Sequence, residues 1–306
     1  MKKRRQHHVW QRYLKSWAVN NQLYCLSDNH IFCTNTSNVA VERDFYKLYK
    51  VNSEDLNFIK MLAVEQSNQF TKKAHEEFLT LVTEPMRFVE NNIEKLHYDG
   101  DADELTDAYR TNVLEDYLSG IEDSFLPLLD LILNQNIGFY SNDESCVVFL
   151  QFICTNYMRT KGFKDTFTKE MKKKTKLNVE TIWSILIHLL ASNVGLHLYA
   201  ERKKRKLVLV NNCTDVTFIT GDQPIINLHA VKSQIPSRLA FYYPISPRLA
   251  LILGEQDEEP PYSTERITSA QVSELNAKIL EACHSQVFGQ SEDSLLGFLE
   301  RALKLR

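Results

Sequence analysis

The period of the apolar residues alternates between that of helices and that of strands along this chain. Trp10, Tyr13, Leu14 and Trp17 recur at steps of three and four, which predicts a short amphipathic helix over 7–17. Residues 22–26 and 30–34 then read as two strands, with Ser27-Asp28-Asn29 as the turn. Residues 35–53 read as a loop with an aromatic patch at Phe45, Tyr46 and Tyr49. From about Ser53 to Ala200, Gly and Pro are sparse and the period is helical. Helices are predicted over 54–82, continuous or broken within, 84–97, 103–135, 143–158, 163–175 and 178–200, with a break at Asp99-Gly100-Asp101 and a kink or boundary at Pro127. From Lys206 the period becomes that of strands: 206–211, 216–220, 239–243 and 249–253. An acidic loop over 256–261, a helix over 269–284, a strand over 286–289 and a last helix capped by Ser291 and running to Leu305 complete the chain.

This order predicts an α+β fold rather than alternating α/β: an N-terminal helix and β-hairpin, a large helical middle, and a mostly antiparallel C-terminal sheet with flanking helices. Residues 1–52 are expected to join the C-terminal sheet, 53–205 to form a helical insertion, and 206–306 to form the β-rich part, all within one integrated domain.

Hydrophobic content of 43% and charged content of 25% are ordinary for a soluble globular chain. The net charge of −3 gives no bulk attraction to nucleic acid or membrane. The six Cys form no C-x-x-C pair and no zinc spacing, which points to a reducing, cytoplasmic compartment. No apolar stretch follows the basic N-terminus, and no run approaches the ~20 apolar residues of a membrane span.

The informative residues are polar ones on apolar faces. Gln151, Thr155 and Arg159 form a stripe at steps of four on a helix that is otherwise apolar nearly all round. A buried guanidinium needs a partner or a ligand; the bland alternative is a structural Arg bonded near the helix end. Glu122 shares the apolar face of Leu118, Phe125 and Leu129, and is the natural partner of Arg159; its alternative is a carboxylate at the face edge reaching solvent. Ser184, His188 and Ser192 are spaced by four along 178–200, where a lone His reads as a satisfied core residue. His7 and His8 precede the first helix, and His7 shares a face with Gln11 if the helix starts that early; a His titrating near neutrality suits acid–base work. The run Thr217 to Pro224 reads as a strand ending in Gly221, which sets Asp222 and Gln223 at the rim of a cleft.

Three basic runs, 2–5, 169–176 and 202–206, stand out in a chain acidic overall. The latter two flank the helix 178–200 from opposite ends, about 30 Å apart, a layout that suits a polyanion backbone through Lys172, Lys173, Lys203 and Lys204. The alternative is solvated helix ends. There is no G-x-S-x-G, P-loop, G-x-G-x-x-G or H-E-x-x-H, which argues against a serine hydrolase, nucleotide kinase, Rossmann enzyme or zincin.

Several short motifs resemble a bacterial family called domain of unknown function 4238. Gln6-His7-His8-Val9-Trp10-Gln11-Arg12-Tyr13-Leu14-Lys15-Ser16-Trp17 is similar to its N-terminal signature, with Trp10 in place of a Pro. Ile121-Glu122, Gln151 to Arg159-Thr160, Phe218 to Pro224 (departing at Gly221 and Gln223), Pro244 to Arg248 and Asn276 resemble its later elements. The resemblance implies that His7, Gln11, Glu122, Arg159 and Asp222 belong to one site and supplies no activity.

The function expected from these residues is phosphodiester hydrolysis by a nuclease used as a toxin or anti-phage effector. His7 is cast as acid/base, Arg159 as stabiliser of phosphoryl charge, and Glu122 as its holder or a second acid/base. Asp222 is cast as the orienter of His7 or as a metal ligand. Gln11, Gln151, Gln223 and Ser246 would position substrate. No cofactor is required in this scheme, a divalent metal being the other option. The expected partners are nucleic acid, RNA more than DNA, and a protein of a defence or toxin system, with no membrane. The alternative is a non-catalytic effector or sensor of a small anion or protein.

Overall fold

The computed structural model describes residues 2–92, 102–231, 236–257 and 267–304. The chain opens with a strand, β1 (Arg5–His7), followed by helix α1 (Gln11–Leu14) and a 3-10 turn at Lys15–Trp17. The helix expected from residue 7 is therefore shorter. Strands β2 (Gln22–Ser27) and β3 (His30–Asn35) form the expected hairpin. Asp28 and Asn29 close it with φ of 49° and 62°, the left-handed pair that matches strand twist. Strand β4 (Val41–Arg43), unforeseen in the sequence, pairs with β1 and holds His7 extended opposite Val41.

Helix α2 (Ser53–Ile59) starts at a capping box of Asn52 and Asp55, then passes through a π turn at Lys60–Val64. Helix α3 (Gln69–Asn92) follows, so the break lies before residue 69 and not at 83. Pro85 sits inside α3. Its missing N–H frees the carbonyl of Leu81, which accepts a hydrogen bond from the Tyr109 hydroxyl of α4 (Ala102–Leu133). Pro127 likewise lies within α4 and does not end it. The expected break at 99–101 is outside the described residues.

Helices α5 (Asp143–Met158), α6 (Lys161–Met171) and α7 (Val179–Ala200) complete the middle. Contrary to expectation, α7 is long and apolar enough in composition to cross a membrane. Ile182, Trp183, Ile185, Leu186 and Ile187 on it are all buried within the chain's own core.

Strands β5 (Arg205–Asn211), β6 (Thr220–Gly221), β7 (Ile226–Asn227), β8 (Phe241–Ser246) and β9 (Leu249–Glu255) precede helix α8 (Ser269–Ala282), strand β10 (Val287–Gly289) and helix α9 (Asp293–Lys304). All observed pairings are antiparallel. One sheet has the order β5-β9-β8-β7; the other, β3-β2-β10-β6, joins the N-terminal hairpin to strands from the end of the chain. The strand expected over 216–220 pairs only at its end. Before that, the Asn276 side chain takes the place of a neighbouring strand: it accepts from the Ile219 N–H (3.0 Å) and donates to the Thr217 carbonyl (2.8 Å). β8 begins two residues later than expected, because Asn227 Oδ1 holds the Ala240 N–H (2.9 Å).

The larger apolar core gathers Trp10, Tyr13, Leu14 and Trp17 against α4, α5 and both sheets. Trp10 meets Phe152 edge-on, with centroids 5.5 Å apart, and so pins the N-terminal segment to α5. A second cluster lies among α2, α3, α4 and α7.

Candidate active site

Three parts of the chain enclose a cavity of about 250 Å³. The N-terminal segment supplies His7, Trp10, Gln11, Arg12 and Lys15. Helix α4 supplies Glu115, Leu118, Ser119 and Glu122, at the steps of three and four that put them on one helix face. Arg159, directly after α5, is the third part. Gln6 fixes the first two parts together, since its buried amide accepts from the Tyr46 N–H (2.7 Å) and donates to the Thr111 carbonyl of α4 (2.7 Å).

Arg159 is 1% exposed, and its Nη2 donates to Glu122 Oε1 at 2.6 Å. Its Nε is buried with no partner. Burial works against the guanidinium charge, yet Glu122, Tyr46 and Glu115 outweigh it and raise the pKa above the ordinary arginine value. Burial raises the pKa of Glu122 in spite of Arg159. Burial also lifts Glu115 to about 7, with Arg159 opposing. A carboxyl whose pKa lies near neutrality is the kind tuned for acid–base work.

His7 is held neutral: burial first and Arg159 second lower its pKa, while a hydrogen bond to the Ser37 backbone opposes them. Its Nε2 is buried and unpartnered. The neighbouring His8 does not line the cavity. It packs on Phe45 with centroids 5.4 Å apart, and burial lowers its pKa to about 3.

The structure thus brings His7, Gln11, Glu122 and Arg159 together. It separates the other expected site residues from them. Asp222 does not orient His7: its carboxylate accepts from the N–H groups of His284 (2.8 Å), Ser285 (2.7 Å) and Gln286 (2.9 Å) and from Ser285 Oγ (2.9 Å), and so clamps the turn after α8. Gln223 is tied to Thr160 and to the carbonyls of Tyr157 and Ile225. Gln151 bonds Thr155 and Ser192 within the α5–α7 contact. Ser246 Oγ accepts from the N–H groups of Arg248 and Leu249 in the β8–β9 turn.

Lys172 pairs with Glu180 (2.6 Å), Lys173 with Glu170 (2.7 Å) and Lys204 with Glu201 (3.2 Å). Lys203 is exposed. None of the four lysines lines the cavity. The expected polyanion track is therefore largely neutralised by neighbouring acids. Arg12, Lys15, Glu115 and Ser119 are the polar wall residues that sequence reasoning missed; for Glu115 and Ser119 the spacing from Glu122, seven and three positions, was the available signal. Among the described residues, no three His, Cys, Asp or Glu side chains converge as a metal-ligand set.

No curated protein and no solved structure matches the chain. The profile of DUF4238, a family of proteins of unknown function, matches residues 5–293, a span that holds all three parts of the cavity. The chain belongs to the DUF4238 family.

Proposed function

We propose that this protein is a phosphodiesterase of the nuclease type, with His7, Glu115 and Arg159 as its reacting side chains. One observation carries the reading. A buried guanidinium, its Nε without a partner, lines a small cavity together with an imidazole held neutral and a carboxyl whose pKa is lifted to about 7. Base, acid and charge stabiliser are the groups that phosphoryl transfer needs. Glu122 holds Arg159 in place, and Arg12 and Lys15, both exposed, keep the mouth positive. Anions are favoured there because Arg159, Arg12 and Lys15 outnumber Glu122 when Glu115 is protonated. The volume lies just below the ~300–1,000 Å³ of ordinary small-molecule sites, which suits one phosphodiester with its sugar.

Purified protein incubated with labelled single-stranded RNA and DNA should cut at least one of them, and His7→Ala should lower the rate by ~10²–10⁴-fold. Intact nucleic acid in both tubes, with or without added divalent metal, would leave a non-catalytic anion sensor as the reading. The cellular role we attach to the activity is that of a toxin or anti-phage effector. On that role, induced expression arrests growth and His7→Ala relieves the arrest.

A further inference from the structure

We infer that Gln6 is a positioning residue of this site: its amide fixes the register of β1, so that His7 and not a neighbour stands in the cavity, and through Tyr46 it sets that imidazole relative to Arg159. What the placement serves rests on the phosphodiesterase reading; the placement itself rests on hydrogen bonds.

β1 needs such a lock. It pairs with β4 over three residues, Arg5 with Arg43, Gln6 with Glu42 and His7 with Val41, in a sheet of two strands. α1, β2 and β3 lie between these strands in the chain, so no tight turn fixes how they align. Successive side chains of a strand point to opposite faces, and a slip of one residue would turn His7 away from the cavity.

Gln6 is 0% exposed and both ends of its amide are used. Oε1 accepts from the Tyr46 N–H and Nε2 donates to the Thr111 carbonyl, each at 2.7 Å. Thr111 lies about one helical turn before Glu115 on α4. Tyr46 is fully buried too, and its hydroxyl donates to the Arg159 carbonyl at 3.3 Å. Two side chains thus bridge the N-terminal strand, α4 and the residue after α5, the three parts that enclose the cavity.

Nearby bonds brace the same segment. The Leu48 N–H donates to the Arg110 carbonyl (2.9 Å), and Lys161 pairs with Glu42 (3.1 Å), the residue opposite Gln6. His8 is kept off the cavity by Phe45, which also meets Tyr46 edge-on with centroids 4.8 Å apart. With Arg5 slipped into the place of Gln6, the Tyr46 N–H would face a side chain that has no acceptor, and a buried donor left without a partner is costly.

The test titrates the full-length protein, labelled with ¹⁵N-histidine, by NMR as wild type and as Gln6→Met, which keeps the bulk of the side chain and removes its donor and acceptor. The His7 signal is identified by its loss in His7→Ala. In the wild type it titrates below the ordinary 6.5. In Gln6→Met it should move back toward that value, while His188, buried on α7, stays in place. Cleavage of a short single-stranded oligonucleotide should lose about 10²-fold in kcat with KM within about threefold, because the reacting groups are displaced and Arg12 and Lys15 are untouched. Tyr46→Phe keeps its N–H, so it should lower kcat about tenfold and leave the His7 titration as in the wild type. If Gln6→Met loses its fold, Gln6→Asn, one methylene shorter, replaces it with the same expectation. An unchanged His7 titration in a folded Gln6 variant, or a kcat within about twofold of wild type, overturns the positioning role and leaves the phosphodiesterase reading standing. A displaced titration in a protein whose wild type cuts neither RNA nor DNA, with or without added magnesium, overturns that reading and leaves the positioning role standing.

Discussion

Glu115 and His7 give the cavity two opposed responses to pH. The folded pKa of Glu115, about 7, lies above the ordinary 4.5, so its protonated form contributes stability fully below 4.5, and that contribution is lost as pH rises through 7. The folded pKa of His7 lies below the ordinary 6.5, so its contribution is present above 6.5 and is lost as pH falls through the folded value. Glu115→Gln is therefore expected to raise the melting temperature at pH 8 relative to wild type and to change it little at pH 5. Equal shifts at both pH values would contradict the assignment. Activity should fall on the alkaline side near pH 7, where Glu115 loses its proton. Arg159→Leu should be severe, since it leaves Glu122 desolvated and unpaired at a cost of ~3–5 kcal/mol, measurable by urea unfolding. At this scale the sequence was legible where a polar residue broke an apolar face, as Arg159 and Glu122 do. Glu115 broke no such pattern: it stands beside Asp116, and its burial comes from tertiary packing that the local sequence does not show.

Elements explain where the reading of Asp222 went astray. An acid after a strand-like run suggested a cleft, but such an acid serves equally to bind the N–H groups of a turn. Asp222→Ala should therefore lower stability by more than ~3 kcal/mol, as one buried acceptor for four donors is lost. Activity per folded molecule should stay unchanged, which single-turnover kinetics on the folded fraction would check. Gly221 is required for close approach: a Cβ there would stand 2.1 Å from Cys283 Sγ and 2.6 Å from the Gln286 carbonyl. Gly221→Ala should cost ~1–3 kcal/mol of overpacking, read from the same unfolding curves. Long, strongly apolar helices such as α5 and α7 lay within a residue or two of their expected bounds. Short elements such as β4 did not, because three residues carry too little periodicity and their pairing partner lies far away in sequence.

For the whole molecule, charge on the surface and charge in the cavity separate. Lys172, Lys173 and Lys204 stand in exposed ion pairs with nearby glutamates, each worth ~0–1 kcal/mol. Changing Lys172 and Lys173 to Gln should leave cleavage of a short oligomer within about twofold, whereas changing Arg12 and Lys15 should raise the KM and flatten its salt dependence. The general architecture was readable from the changes of period. The meeting of residue 7 with residue 159 was expected from the polar residues and the family resemblance and not from the period; it depends on β1 lying along β4 and on Gln6 bridging to α4.

The sheet order β3-β2-β10-β6 has a consequence for biosynthesis. The hairpin finds its inner neighbour, Val287–Gly289, only after the helical middle and the other four-stranded sheet have been made. A nascent chain carries the imidazole of His7, and later the guanidinium of Arg159, before the sheet beside its N-terminal hairpin can close. On the nuclease reading proposed above, activity would wait for that strand.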